Sequence, residues 1–313
     1  MNRTIKEYLI LTLKGMGMGA ADVVPGVSGG TIAFITGIYE ELINSIKSIN
    51  LNALKLFFTG KFSEFWAAIN GTFLISVFLG IGISIFSLAK GLEYLLNHFP
   101  ILVWAFFFGL IIASAIYVAR TIKKWNIGTI ITGIAGIAVA WTITIISPAE
   151  ANTTYWFIFL SGSIAICAMI LPGISGSFIL VLLGMYKFIL EAVGNLEIAV
   201  ILTFMVGAAV GIIAFSNVLS WLLKKYHNVT IAVLAGFMVG SLNKVWPWKK
   251  VTETFLDRHG EIKPLAESNI LPKTFEQITG NSAFLLEAIL LAVVGFALIF
   301  VVEGVSKRLT KKQ

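Results

Sequence analysis

Two short proline-glycine interruptions in apolar sequence constrain the fold of this chain more than any other feature. The first reads Pro-Gly-Val-Ser-Gly-Gly-Thr over residues 25–31, and the second reads Pro-Gly-Ile-Ser-Gly-Ser over residues 172–177. A glycine and a tyrosine follow each break at the same spacing: Gly37 and Tyr39, and Gly184 and Tyr186. In a multi-span membrane protein, interrupted apolar segments at matching places in two halves point to a binding site. The sequence therefore predicts an internally duplicated chain.

The apolar content of the chain predicts an integral membrane protein. Of its 313 residues, 58% are hydrophobic and 12% are charged, and the mean hydropathy is +0.91. Several apolar runs exceed the ~18 residues that mark a spanning helix. The net charge of +7 sits in short clusters beside these runs, which fits the positive-inside rule and argues against a nucleic acid partner. A single cysteine, Cys167, offers neither a disulfide framework nor a cysteine-based metal site, and we predict no cofactor.

The first repeat is predicted to cover residues 1–150. Neither apolar arm around the first break is long enough to cross ~30 Å of hydrocarbon, which favours a re-entrant hairpin of two half-helices. A basic and aromatic stretch then predicts an amphipathic helix at the membrane surface, and three full spans follow. The predicted bounds are 15–46 for the hairpin, 47–68 for the amphipathic helix, and 71–96, 99–120 and 126–147 for the spans.

The second repeat, residues 151–313, is predicted to follow the same pattern. Its bounds are 154–193 for the hairpin, 197–223, 229–246 and 283–303 for the spans, and 247–281 for an outer loop. Lys123 and Lys124 place the loop near 121–125 in the cytoplasm, and basic residues after 306 place the C-terminus there as well. Each half then crosses the membrane an odd number of times. The fold class predicted is an all-α membrane protein with an inverted-topology repeat.

The chemistry of the two breaks suits an oxyanion. Bare backbone polar groups are not tolerated in hydrocarbon, so a broken helix must line a cavity or be buried in protein. The half-helix after each break begins with free N–H groups and a positive dipole end, to which hydroxyls add further donors. Close packing of small residues is the alternative explanation; the duplication favours a binding site. The candidate binding residues are Ser28, Gly29, Gly30, Thr31, Ser175, Gly176 and Ser177, and the helix breaks are formed by Pro25, Gly26, Pro172 and Gly173.

Three charged residues are further candidates. Asp22 lies three residues before Pro25 in an apolar run, and its counterpart in the second half is Met169. An intramembrane carboxylate is a functional hypothesis by default; Asp22 either carries a coupling proton or ion, or caps freed backbone N–H groups. Arg120 and Lys244 end spans, where they either attract an anion or act as snorkelling anchors. No catalytic constellation is visible, so we do not predict an enzyme.

Three stretches resemble the PopT family of bacterial membrane proteins. They are Asp-Val-Val-Pro-Gly-Val-Ser-Gly-Gly-Thr at 22–31, Ala-Met-Ile-Leu-Pro-Gly-Ile-Ser-Gly-Ser at 168–177, and Gly-Ser-Leu-Asn-Lys-Val-Trp-Pro-Trp at 240–248. The resemblance implies a polyprenyl-phosphate transporter that returns undecaprenyl phosphate, the carrier lipid of cell-wall synthesis, from the outer to the inner leaflet. It also implies a bacterial cytoplasmic membrane location, and the charge pattern predicts that both termini are cytoplasmic.

On this hypothesis the break residues cradle the phosphate headgroup, Asp22 is a coupling candidate, and Arg120 and Lys244 attract the headgroup. The expected partners are the polyprenyl phosphate and membrane lipids, and a homo-oligomer is left open. Half-helix N-termini would serve a channel or exchanger for small inorganic anions equally well, which is the alternative function. A membrane enzyme acting on lipid phosphates is less favoured, because no nucleophile–base pair is present.

Overall fold

The computed structural model describes residues 3–23, 28–146, 151–256 and 262–310, which are mostly helical. The helices are α1 (Ile5–Val23), α2 (Gly29–Ile35), α3 (Tyr39–Lys47), α4 (Leu51–Phe58), α5 (Phe62–Ala68), α6 (Gly71–His98), α7 (Pro100–Arg120), α8 (Ile127–Ile145), α9 (Tyr155–Ile170), α10 (Gly176–Leu182), α11 (Tyr186–Gly194), α12 (Ile198–Lys225), α13 (His227–Ser241), α14 (Pro272–Thr279) and α15 (Leu285–Thr310), and the strands are β1 (Lys249–Leu256) and β2 (Ile262–Asn269). Pro25 and Gly26, two of the predicted helix-break residues, lie outside the described residues.

Within the described ranges, four helices are long and apolar enough to cross a membrane: α6, α7, α8 and α12. A fifth candidate is the pair α10–α11, whose two helices are bent by 109°. The apolar helices α9 and α13 are shorter, as is the apolar part of α15 up to Val301. The coarse prediction, a mostly helical membrane protein with several spans, is confirmed. In the region of the span predicted at 229–246, the helix α13 ends at Ser241 and turns follow it before Pro247.

The first predicted hairpin and the surface helix also differ in detail. α1 begins at Ile5 rather than at residue 15. The charge of Lys14 within it is accommodated by a hydrogen bond from Nζ to the carbonyl oxygen of Thr36, 2.7 Å away. The stretch 47–68 forms two short helices instead of one, since Gly60 adopts a φ of +75° that ends α4.

The predicted outer loop contains regular structure. β1 and β2 form an antiparallel hairpin, and α14 follows it. Two indole groups fix the base of the hairpin: Trp246 Nε1 donates to the carbonyl oxygen of Ile270 at 2.8 Å, and Trp248 Nε1 donates to that of Ala283 at 2.9 Å. These long-range bonds were not visible in the charge pattern that suggested a loop.

Close glycine contacts join α1 to α6 and α9 to α12. A Cβ atom on Gly15 would fall onto the carbonyl oxygen of Val77, so the two backbones touch there. A Cβ atom on Gly162 would meet the carbonyl oxygen of Phe204 in the same way. Small residues at such crossings let helices approach closely, and this packing replaces the hydrophobic driving force that lipid does not provide.

The remaining long helices pack as α7 with α15 and α8 with α13. A Cβ atom on Gly109 of α7 would fall onto the carbonyl oxygen of Ala292 in α15. A Cβ atom on Gly236 of α13 would fall onto that of Gly133 in α8. Each pair joins a helix from residues 1–150 to a helix from residues 151–313, so the two parts of the chain share one helical body.

The surface of this body is apolar where it would face lipid. Large side chains such as Phe86, Ile127 and Leu286 are 89%, 78% and 69% exposed, and many others on the long helices are similar. A soluble protein does not leave so extensive an apolar surface in water. The surface is that of a membrane protein.

Replacing Gly80 with alanine should destabilise the protein, because the new Cβ would fall onto the carbonyl oxygen of Thr12 in α1. Overpacking against backbone costs about 1–3 kcal/mol. Gly82, in the same helix, is the matched control, because a Cβ there meets none of the described residues within 4 Å. Thermal unfolding of the detergent-solubilised variants should give a lower transition temperature for Gly80→Ala than for Gly82→Ala. Equal transition temperatures would contradict the close α1–α6 contact.

Candidate functional site

The first break is closed by its own side chains. Ser28 is the N-cap of α2, and its hydroxyl oxygen accepts a hydrogen bond from the N–H of Gly30 at 3.1 Å. The carboxylate of Asp22, at the end of α1, accepts from the N–H of Gly29 at 2.7 Å. The partly buried Asp22 is therefore a helix cap in this conformation, which is one of the two roles considered for it.

The hydroxyls of the first break also satisfy the end of α9 in the second. Ser28 Oγ lies 3.0 Å from the carbonyl oxygen of Met169 and 3.1 Å from that of Leu171, and donates to this pair. The hydroxyl of Tyr39 donates to the carbonyl oxygen of Ile170 at 3.2 Å. The last turn of a helix has carbonyls with no partner of its own. Here the first half of the chain provides the donors.

A reciprocal bond runs from the second break to the first. The N–H of Gly173 donates to Thr31 Oγ1 at 3.1 Å. Gly173 has a φ of +86°, and a Cβ there would lie 2.8 Å from the Cα of Met238 in α13. Ser28 and Thr31 are 1% and 0% exposed, so both hydroxyls are committed to backbone groups in the described conformation.

The second break is less closed than the first. Ser175 is the N-cap of α10, yet its side chain makes no capping hydrogen bond; its Oγ lies 2.9 Å from Ser177 Oγ. Met169 stands at the position that Asp22 holds in the first half, so no carboxylate from that position caps α10. Gly176 packs against the carbonyl oxygen of Ala165 in α9. The hydroxyl pair is thus the polar group that the second break presents.

Lys244 is the predicted site residue that meets the second break. A narrow recess is lined by Gly173, Ser175, Lys244 and their neighbours. The Nζ atom of Lys244 lies 4.7 Å from the ring centre of Phe178, which follows Ser177 in α10. This cation–π contact holds the ammonium group at the start of the half-helix.

A larger cavity of about 360 Å³ adjoins this recess and shares Lys244, Phe178 and Thr144 with it. Its walls come from the end of α8, from α10, from the turn after α13 and from the β-hairpin. The polar and charged lining residues are Thr144, Asn243, Lys244, Lys249, Thr252, Glu253, Glu267, Ser268 and Asn269. The cavity therefore offers both amide and ammonium donors to an anion.

Two charged residues of this cavity, Lys249 and Glu267, were missed at the level of sequence. Glu267 Oε2 lies 3.3 Å from Lys249 Nζ and 3.7 Å from Lys244 Nζ. Lys249 Nζ also lies 3.9 Å from the ring centre of Trp104 in α7. Burial lowers the pKa of Lys249 to about 8, and the nearby Glu267 opposes this effect. The Trp246–Pro–Trp248 stretch just before Lys249 was the sequence signal that could have indicated a packed segment here, because its two indoles anchor the hairpin.

Arg120 is not brought together with Lys244. Trp104, which contacts Lys249, lies near the start of α7, whereas Arg120 ends that helix. The rise of 1.5 Å per residue separates these two α7 positions by about 24 Å along the axis. Arg120 is exposed and lies over the ring of Phe300, with 5.4 Å between the guanidinium carbon and the ring centre. It belongs to the opposite end of the helical body.

Taken together, these features define a class of protein: a multi-span membrane protein in which two broken helices meet beside a lysine-containing cavity. The chain belongs to the family described as "Undecaprenyl phosphate translocase-like", whose model matches residues 18–263.

Two relatives have been named. The "Polyprenyl-phosphate transporter" of Vibrio cholerae serotype O1 is 45% identical over 302 residues, which is 96% of this chain and 98% of the relative. The "Polyprenyl-phosphate transporter" of Staphylococcus aureus is 35% identical over 233 residues, which is 67% of this chain and 76% of the relative. No solved structure matches the chain. The family predicted from the three sequence stretches is confirmed.

Proposed function

We propose that this protein transports a polyprenyl phosphate across its membrane, and that the substrate is undecaprenyl phosphate. The observation that carries the proposal is the meeting of Ser175 with Lys244 in one recess, beside a cavity that holds a second lysine. A phosphate monoester carries about −1.5 to −2 charges near neutral pH. The names of the two relatives support a lipid of this kind.

The headgroup is proposed to bind at the second break. Ser175 and Ser177 would offer hydroxyls, Gly176 an N–H group at the start of α10, and Lys244 a positive charge. The prenyl chain would remain in lipid, because burying it in protein gains nothing over the hydrocarbon that already surrounds it. A headgroup site of modest size is therefore sufficient.

We further propose that residues 1–150 and 151–313 are inverted-topology repeats. The glycine contacts support this: Gly15 and Gly162 each stand ten residues before the proline of their own break, and each meets the first long helix that follows. Likewise Gly109 and Gly236, each followed five residues later by a serine (Ser114 and Ser241), meet α15 and α8 respectively. In such transporters, binding sites lie near the repeat interface, and the repeats rock against each other.

On this proposal, the first break binds the headgroup when the transporter opens to the other side of the membrane. Ser28, Gly29, Gly30 and Thr31 would become available to a headgroup when their bonds to the second break open. Asp22 is the coupling candidate, because its carboxylate holds the Gly29 N–H that an incoming phosphate would need. Arg120, at the other end of α7, would attract the headgroup on that side.

The same proposal assigns the protein to the bacterial cytoplasmic membrane, with both termini in the cytoplasm. Transport would then run from the outer to the inner leaflet, returning the carrier lipid for cell-wall synthesis. The clusters of basic residues near 120–124, 224–225 and 307–312 support this orientation. The β-hairpin and the lysine cavity would face the outside, where the spent carrier is released.

A flipping assay with purified protein in liposomes tests the headgroup site. The double variant Ser175→Ala/Ser177→Ala should lose most transport while its thermal unfolding stays near that of the wild type. Unchanged flipping in a folded Ser175/Ser177 double variant would contradict the headgroup site.

Two variants of the first break have different expected effects. Ser28→Ala should lower the unfolding temperature, because the carbonyls of Met169 and Leu171 lose a donor. Asp22→Asn should remove any dependence of transport on a pH gradient.

A channel or exchanger for small inorganic anions is the competing function, because the lysines would serve those ions too. It predicts anion flux in liposomes that contain no polyprenyl phosphate, and no lipid flipping. An enzyme that hydrolyses lipid phosphates would instead release inorganic phosphate. We propose that the protein is not an enzyme, which agrees with the names of its relatives.

A further inference from the structure

The lysine cavity contains a carboxylate placed between two ammonium groups. Glu267 Oε2 lies within 3.7 Å of both Lys244 Nζ and Lys249 Nζ. Lys244 comes from the turn after α13, Lys249 from β1 and Glu267 from β2. Three separate segments therefore converge on one anion position, and that position is occupied by a side chain of the protein itself.

Lys249 is the member of this cluster whose buried ammonium group is least well hydrogen-bonded. Its side chain is 7% exposed, and its Nζ has no hydrogen-bond partner among the described residues, although the ion pair with Glu267 is close. An ammonium group has three donors, and leaving them unpaired in a buried place is unfavourable. The ring of Trp104 covers one side of this group, and the cavity lies on another. An acceptor with several oxygens would satisfy it better than one carboxylate oxygen does.

We propose that the carboxylate of Glu267 stands in for a phosphate group, and that an incoming phosphate monoester displaces it from Lys244 and Lys249. This inference rests on the proposed function, because it concerns how the same site binds its substrate. One carboxylate neutralises one of the two ammonium charges, whereas a phosphate monoester carries about −1.5 to −2 and can match both. Glu267 would thus lower the positive charge of the empty cavity, and weaken the binding of anions with fewer oxygens or less charge.

The surroundings of Glu267 favour such a displacement. Its side chain is 23% exposed, so the carboxylate can turn towards solvent, whereas Lys249 is held beneath Trp104. Glu267 pairs with Val251, next to an irregularity in the strand register; bulges of this kind often lie beside functional sites. The hairpin has a second attachment to the turn after α13, because Asn269 Nδ2 donates to the carbonyl oxygen of Asn243 at 2.7 Å.

The matched control is Glu253, a second carboxylate that lines the same cavity. Among the described residues it makes no ion pair with either lysine. Glu253→Gln removes the same charge from the cavity as Glu267→Gln, but leaves the anion position between the lysines occupied. Any difference between the two variants therefore reports on that position and not on net charge.

The experiment measures the binding of inorganic phosphate and of a short-chain prenyl monophosphate to the full-length protein in detergent, by calorimetry. Glu267→Gln should bind both probes about tenfold more tightly than the wild type, because the competing carboxylate is gone. Glu253→Gln should change affinity by less than about threefold. Lys249→Gln should weaken both probes about tenfold, and thermal unfolding of each variant verifies that it is folded.

Two results would overturn the inference. One is that Glu267→Gln binds the probes no better than the wild type; Glu267 would then position the lysines instead of competing. The other is equal tightening in Glu253→Gln and Glu267→Gln, which would reduce the effect to net charge. Failure of the proposed function looks different: the expected affinity changes for inorganic phosphate would remain, but wild-type liposomes would not flip polyprenyl phosphate.

Discussion

Replacing Lys244 with alanine should reduce polyprenyl-phosphate flipping in liposomes by about tenfold or more. The ammonium group lies at the junction between the Ser175 recess and the larger cavity, so both parts of the proposed site use it. A hydrogen bond to a charged group contributes about 1.5–3 kcal/mol, and 1.4 kcal/mol corresponds to a tenfold change. Without Lys244, the remaining pair of Lys249 and Glu267 is neutral, and the attraction for a dianion is lost.

Lys250→Ala is the control for this experiment. Lys250 follows Lys249 in β1 but is exposed and does not line the cavity. Its removal lowers the net charge of the hairpin by the same amount, so flipping should stay within about twofold of the wild type at moderate salt. Lys244→Arg should retain part of the activity, since the charge remains. If Lys244→Ala and Lys250→Ala flip lipid equally well, Lys244 does not bind the headgroup.

Replacing Gly173 with alanine should strongly destabilise the protein. The positive φ of +86° disfavours any residue with a Cβ, and that Cβ would lie 2.8 Å from the Cα of Met238. Left-handed backbone costs about 1–2 kcal/mol and overpacking a further 1–3 kcal/mol. The shift would also pull the Gly173 N–H from Thr31, and we expect both a lower unfolding temperature and a loss of flipping.

Gly37→Ala separates the cost of backbone strain at a positive φ from the cost of overpacking against a neighbouring helix. Gly37 has a similar φ of +73°, but a Cβ there meets no atom of the part of the chain that the structure describes within 4 Å. This variant should therefore show only the backbone strain, and its unfolding temperature should lie between those of the wild type and Gly173→Ala. Identical unfolding of the two variants would show that the second break is not pressed against α13.

Local pattern was enough to predict the long apolar helices and the family. Apolar run length located the long helices, and the prolines and glycines located the interruptions, because both signals depend on neighbours in the chain. The boundary errors arose where tertiary contacts override pattern. α1 extends back to Ile5, past the point where the hairpin was expected to begin, and Lys14 within it finds a carbonyl partner in Thr36.

The contacts around the candidate site could be predicted only in part from the sequence, because they depend on long-range pairing. Nothing near Ser28 in the sequence indicates that its hydroxyl bonds the carbonyls of Met169 and Leu171. Lys249 and Glu267 were counted among the balanced charges of a long loop, since their proximity follows from the hairpin register and the tryptophans at its base. Lys244 was found because it ends an apolar run, which is a local signal.

The mutual bonding of the two breaks has a consequence for biosynthesis. The partners of Ser28 and Thr31 lie about 140 residues further along the chain. At roughly 5–20 residues per second, a ribosome needs roughly 7–30 s to supply them. During that interval, the hydroxyls of Ser28 and Thr31 lack these partners from the second break, and hydrocarbon would supply no others. The bonds between the two breaks can therefore form only after both have been synthesised, so the first break is completed later than its place in the chain suggests.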